Sequence, residues 1–111
     1  MSTKLPLDVN DHPIPALRLK TNGAHVIGAA ATSARNATAF DDETRVVSVY
    51  ANEPIYIAFG DASVSATTSD HYFPAGLYYD IALGGDGVSH SSHMAVIAAS
   101  ADGDVYVSEK A

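Results

Sequence analysis

The chain has 111 residues, with 13 acidic and 6 basic side chains and a formal net charge of −7. A nucleic-acid binder needs clustered Lys and Arg to displace counterions, and the basic residues here are scattered from Lys4 to Lys110. Nucleic acid and anionic membranes are therefore not expected partners. The chain has no cysteine, which excludes disulfides, thiolate metal sites and cysteine catalysis.

A chain of this length can bury about 65% of its surface on folding, which is enough for one domain. The large apolar residues Leu, Ile, Val and Phe number only 25, and there is no Trp. A core this thin favours additional stabilisation by partner contacts. The first 15 residues, MSTKLPLDVNDHPIP, contain no continuous apolar run, so we expect no secretory signal and folding in a cytoplasm.

Residues 1–15 carry three prolines, which cannot donate a hydrogen bond to a sheet. We interpret this segment as an extended arm that precedes a domain at residues 16–111. Its apolar side chains are expected to dock in a groove of this subunit or of a neighbour. They are Leu5, Leu7, Val9 and Ile14.

The rest of the chain has the pattern of short strands. Residues 17–20 alternate apolar and basic, and Asn22-Gly23 predicts a hairpin turn into a second strand at 24–31. Residues 32–42 are small and polar, which predicts a loop with a short strand at 38–40. Residues 44–51 are rich in β-branched side chains and end before Asn52-Glu53-Pro54, and a further strand follows at 55–59.

The second half continues this pattern after a Ser/Thr/Ala loop at 60–69. Residues 70–73 and 77–83 flank Pro74-Ala75-Gly76 and are predicted to form a hairpin. A glycine loop at 84–87 precedes strands at 93–98 and 104–109. Nine short strands at this spacing predict an all-β protein, a single-domain β-sandwich or jelly roll.

The candidate catalytic residues are few. His90 and His93 have a spacing found in metal sites, but a third ligand would have to be His71 or His25 from another strand. The acidic runs at 41–43 and 102–104 are typical of solvated turns, and Asp86 is the one carboxylate of the glycine loop, too few for calcium. We therefore expect no catalytic, cofactor or metal site, and no enzyme.

The aromatic residues between 72 and 79 are the most concentrated feature. Neighbouring residues of a strand face opposite sides. Tyr79 shares a face with Leu77 and Ile81 and is predicted to pack inside, whereas Tyr78 shares a face with Asp80 and is predicted to be exposed. An exposed Tyr is an interface anchor or a platform for stacking a sugar. Tyr78 is therefore a candidate partner contact.

Several short motifs occur together between residues 45 and 109. VSVYANEPIYIA at 47–58 continues into FGD, and ATTSD at 66–70 precedes FPAG at 73–76. MAVI at 94–97 is followed by DGDVYVSE at 102–109. This series resembles a family of small tailed-phage virion proteins, and with the arm it is similar to the capsid decoration, or staple, proteins of epsilon15-like short-tailed phages.

The resemblance implies a non-enzymatic jelly-roll-like protein that forms a homodimer on the outer capsid surface and clamps neighbouring major capsid subunits. It implies localisation in the virion and the major capsid protein as partner. Two other functions stay open: a tail or head–tail-junction accessory protein, and a small carbohydrate-binding module that uses Tyr72 or Tyr78.

Overall fold

The computed structural model describes residues 9–10, 17–84 and 89–110. Their regular secondary structure consists of eight β-strands. The first four are β1 (Leu19–Ala29), β2 (Ala34–Arg35), β3 (Val46–Ala51) and β4 (Ile55–Gly60). The last four are β5 (His71–Phe73), β6 (Tyr78–Ala82), β7 (His93–Ala98) and β8 (Gly103–Lys110).

The strands form two four-stranded antiparallel sheets, with the orders β1-β8-β3-β6 and β2-β7-β4-β5. The first strand, β1, pairs with the last, β8. Moving inward along the chain from both ends, β2 pairs with β7, β3 with β6, and β4 with β5. A chain rolled up in this way, as a folded-over ribbon of two Greek keys, is a jelly roll. The predicted all-β, single-domain β-sandwich is confirmed.

The core lies between the two sheets. The first sheet contributes the inward residues of β3 and β8, which lie at every second position because the side-chain period of a strand is two. On the outer face of β3, Ser48 is buried as well. The second sheet contributes the inward residues of β4 and β7. The central core side chains are Val47, Val49, Val105, Val107, Ile55, Ile57, Met94 and Val96, all nearly inaccessible to solvent.

Asn22-Gly23 does not form the predicted hairpin. Both residues lie inside β1. Leu19 lies opposite Lys110 and Ala24 lies opposite Ser108, so β1 uses five residues where β8 uses two. A two-residue type I′ hairpin needs positive φ at both central residues. Asn22 has a φ of 63°, whereas Gly23 does not have a positive φ, so the extra residues form a bulge and the strand continues.

Two further local predictions are wrong. The short strand lies at Ala34–Arg35 and not at 38–40, because the Asn36 side chain donates to the Thr38 carbonyl and accepts from the Met94 amide. The segments at 70–73 and 77–83 do not pair with each other, since β5 lies beside β4 and β6 beside β3. The turn at Gly76, whose amide donates to the Ala51 carbonyl, carries the chain from one sheet to the other.

Some sequence predictions fall outside the described residues. They include most of the arm at 1–15, with its expected contacts Leu5, Leu7 and Ile14, and most of the glycine loop with Asp86. These remain predictions.

The bulge makes a testable prediction at Asn22. The left-handed backbone conformation has a free-energy cost of about 1–2 kcal/mol for a residue with a Cβ, and this cost is smaller for Asn than for β-branched residues. Asn22→Val should therefore lower the free energy of unfolding by about 1–2 kcal/mol, measured by urea denaturation. Asn22→Gly is the matched control and should leave it nearly unchanged. Equal losses in both variants would mean that backbone strain at this position is not the cause.

Candidate interaction surface

The outer face of the first sheet carries a row of exposed apolar side chains that crosses every strand of that sheet. Val26 of β1 lies opposite Tyr106 of β8, Tyr106 opposite Tyr50 of β3, and Tyr50 opposite Tyr78 of β6. Val26 is 63% exposed, and Tyr78 is 60% exposed, while the two central rings are half-exposed. We call these four residues the tyrosine row. With strands about 4.8 Å apart, the row is roughly 14 Å long.

The rows on either side of the tyrosine row consist mostly of short side chains. On one side, Ala24, Ser108, Ser48 and Asp80 occupy the four successive strands. On the other side, Gly28 lies opposite Asp104, and no atom lies within 4 Å of where a Cβ on Gly28 would be. Apart from Asp80 and Asp104, the side chains beside the rings are therefore short, and Ser48 is fully buried.

Two rings of the row contact each other, and the third contacts a cation. The ring centroids of Tyr50 and Tyr106 are 6.4 Å apart, with a tilted geometry. The Lys110 ammonium lies 5.7 Å from the centre of the Tyr78 ring and 3.8 Å from the Asp80 carboxylate. The Ser48 hydroxyl donates to the same carboxylate. At its β6 end, the row thus combines aromatic, cationic and anionic groups.

Such a surface is suited to binding rather than to covalent chemistry. Tyr is enriched in protein interfaces because it combines a large apolar area with a polar hydroxyl and few rotatable bonds. Exposed aromatic rings also stack against sugar rings. Tyr78 is exposed as predicted, and the other three members of the row were not anticipated, because their alignment depends on the pairing of β1, β8 and β3.

Tyr79 corrects the sequence prediction. It lies opposite Val49, on the core side of the sheet, yet it is 61% exposed whereas Val49 is fully buried. The reason is that β6 is the last strand of its sheet, and the second sheet does not cover the side chains at this edge. Tyr78 and Tyr79 therefore both face solvent.

A second cluster, which was not predicted, surrounds the buried carboxylate of Glu109. Its Oε1 accepts hydrogen bonds from the Asp41 amide (2.9 Å) and the Thr44 hydroxyl (2.7 Å), and its Oε2 lies 2.8 Å from His25 Nε2. Burial acts to raise the pKa of Glu109, but the hydrogen bonds from Thr44, His25 and Asp41 outweigh it, so this pKa lies below its usual value.

The strand pattern held a signal for this cluster. Glu109 follows Val105 and Val107 at every second position of β8, so the period of two places its carboxylate on the core face. A polar cavity of about 270 Å³ adjoins the cluster, and His25, Asp41 and Glu109 are among its lining residues. The cluster joins the end of β8 to β1 and to the loop before β3, which is a structural role.

The structure does not bring the candidate metal ligands together. His90 Nε2 lies 2.8 Å from the Thr44 carbonyl, while His93 contacts the Ser92 hydroxyl at the start of β7. His71 begins β5, in the second sheet. In the described part of the chain, no three His, Cys, Asp or Glu side chains are close enough together to hold a metal ion.

Comparison of the chain with protein-family models, curated proteins and solved structures gave no match. Within residues 9–10, 17–84 and 89–110, no helix is long and apolar enough to cross a membrane.

The Glu109 cluster predicts a pH-dependent stability. Because the folded pKa of Glu109 is depressed below 4.5, its stabilisation is present above the unfolded pKa and is lost as the pH falls through the folded pKa. Glu109→Gln should lower the free energy of unfolding at pH 7 by about 1–3 kcal/mol. The difference between wild type and variant should shrink below about pH 4.

The measurement is urea denaturation of both proteins from pH 7 to pH 3. Asp102→Asn, which removes one exposed carboxylate, is the control for net charge and should change the stability little at any pH. A constant difference between wild type and Glu109→Gln across this range would contradict the assigned pKa shift.

Proposed function

We propose that this protein is a non-enzymatic structural protein that decorates the outer surface of a phage capsid, where it binds the major capsid protein and stabilises the shell. The carrying observation is the tyrosine row, an exposed and mostly aromatic row that crosses all four strands of the first sheet. An exposed contiguous apolar patch on a small domain is typical of a binding site. The capsid as partner comes from the sequence resemblance.

Two properties of the chain support this proposal. The described residues have no buried side-chain nitrogen or oxygen without a hydrogen-bond partner, and the tyrosine row lies on four paired strands, so its backbone should need little ordering on binding. The net charge of −7 favours a partner with a basic or mixed-charge surface. In this proposal the protein acts as a homodimer and is assembled onto the shell in the host cytoplasm.

A carbohydrate-binding module is the second candidate, and the same tyrosine row favours it, since exposed rings stack on sugars. Asp104 and Asp80 lie one row away from the rings, where their carboxylates could accept hydrogen bonds from sugar hydroxyls. A tail or head–tail-junction protein built on the same sandwich differs from the first proposal in its number of copies.

The first prediction of this proposal concerns copy number. Densitometry of purified virions should give a ratio of this chain to the major capsid protein near one or a simple fraction of it, because a shell-binding protein follows the symmetry of the shell. A ratio of a few per cent would instead indicate the tail or the junction. Absence from the virion would contradict all virion functions and leave the carbohydrate-binding candidate.

The second prediction concerns the tyrosine row. The double variant Tyr50→Thr/Tyr106→Thr should fold, because both rings are partly exposed and an aromatic cross-strand pair contributes only about 0.2–1 kcal/mol. Its affinity for shells that lack this protein should fall at least about tenfold, as expected for central aromatic residues of an interface. Co-sedimentation with such shells measures the loss.

Tyr72→Thr is the matched control, since Tyr72 is an exposed ring on the second sheet, where it pairs with Tyr56. It should bind like the wild type. Full binding by the double variant would exclude the tyrosine row as the capsid interface. Loss of glycan binding in the double variant, with shell binding intact, would favour the carbohydrate-binding candidate.

A further inference from the structure

The strand β6 is an exposed apolar edge. Leu77, Tyr78 and Tyr79 are consecutive and are all more than half exposed, although they point to both faces of the sheet. Among the described residues, β6 pairs with β3 on one side and with no strand on the other. Natural proteins protect such edges or use them to pair with another chain.

The hydrogen-bond register shows which backbone groups of β6 are available. The Leu83 amide donates to the Arg45 carbonyl, and these residues continue the pairing in which Ala82 lies opposite Val46. Hydrogen-bonded and non-hydrogen-bonded residue pairs alternate along an antiparallel ladder. Counting back from Leu83, the backbone groups of Ile81 and Tyr79 are therefore the ones that bond to β3. The N–H and C=O groups of Tyr78 and Asp80 therefore point away from β3, towards the open edge.

We propose that two copies of this chain associate by antiparallel pairing of their β6 strands around a two-fold axis at Tyr79. In this register Tyr78 of each copy exchanges backbone hydrogen bonds with Asp80 of the other. The two first sheets then form one continuous eight-stranded sheet. This proposal rests on the homodimer of the proposed function and identifies where its two copies meet.

The side chains of β6 complement themselves in this register. On the inner face, Tyr79 meets its own copy and Leu77 meets Ile81, so that apolar groups contact only apolar groups. On the outer face, Tyr78 meets Asp80, which pairs a phenol with a carboxylate that can accept its hydrogen bond. An isologous contact requires this kind of self-complementarity.

The neighbouring register, with its axis at Asp80, is unfavourable. It would place the two Asp80 carboxylates directly opposite each other, and like charges in that position are destabilising. With the axis at Tyr79, the carboxylates are only diagonal neighbours, and each keeps its Ser48 and Lys110 contacts. The two Tyr78 side chains are also diagonal neighbours in this register, so the two tyrosine rows are offset by two residues across the axis.

The area available predicts a weak dimer in solution. Two Tyr side chains, each about 60% exposed, present roughly 200–300 Å² per copy. Even with Leu77, Ile81 and the strand backbones, the interface is at the low end of the size range of specific complexes, near 1,200 Å² in total. Since each copy carries a net charge of −7, association should strengthen as added salt screens the repulsion.

Disulfide trapping tests the register directly, because the natural chain has no cysteine. Non-bonded antiparallel partners have Cα atoms about 4.5 Å apart, which is within the range that a disulfide can bridge. Tyr79→Cys should therefore form a covalent dimer rapidly under mild oxidation at high salt. In Asp80→Cys the two Cα atoms would be roughly 8 Å apart, beyond that range, so this variant should cross-link at least about tenfold more slowly. Tyr72→Cys, an exposed position on the other sheet, measures random collision.

Equal rates for the three cysteine variants would overturn the proposal, and faster cross-linking of Asp80→Cys would replace the register with the one centred on Asp80. Sedimentation equilibrium of the unmodified chain provides the second test. We expect a concentration-dependent dimer that Tyr79→Lys weakens at least about tenfold and Tyr72→Lys does not. A strictly monomeric wild type would also overturn the proposal. Since these tests need no virion, their failure is distinguishable from failure of the capsid assignment.

Discussion

The last strand, β8, pairs with β1 on one side and β3 on the other, and the first sheet's core face, the tyrosine row and the Glu109 cluster all depend on the register of these two ladders. Val107 lies between His25 and Val49, and Tyr106 lies between Val26 and Tyr50. Because the side-chain period of a strand is two, a slip by one residue would expose the core valines and bury Tyr106. The bulge at Asn22-Gly23 absorbs the mismatch in length between β1 and β8, so that the same register holds along most of the sheet.

The two sheets of the sandwich differ in what they leave exposed. The first sheet presents a row of rings on its outer face and ends in β6, whose side chains are exposed on both faces. These two features meet at Tyr78. In the proposed assembly, they have separate tasks, since the face of the sheet contacts the shell and its edge contacts a second copy. A surface carried by paired strands binds with little loss of backbone conformational entropy.

The polar cluster at Glu109 shows how the end of the chain is held in place. A buried carboxylate is unfavourable unless hydrogen bonds compensate for its lost hydration. Here, a backbone amide, a hydroxyl and an imidazole supply them from β1 and from the loop before β3. These contacts tie the final residues of β8 to segments more than sixty residues earlier in the chain.

The sequence by itself determined the all-β class, the positions of β3, β4, β7 and β8, and the exposure of Tyr78. These follow from local alternation, β-branched residues and turns, which are encoded by neighbours in the chain. The sequence also indicated that Glu109 faces the core, because Glu109 follows Val105 and Val107 at every second position of β8. Only the tertiary structure decided that Asn22-Gly23 is a bulge, that β5 and β6 lie in different sheets, and that Tyr79 is exposed at an edge. The tyrosine row belongs to the same group, because its members lie on four strands whose order in the sheet is set by long-range pairing, and no local pattern carries that order.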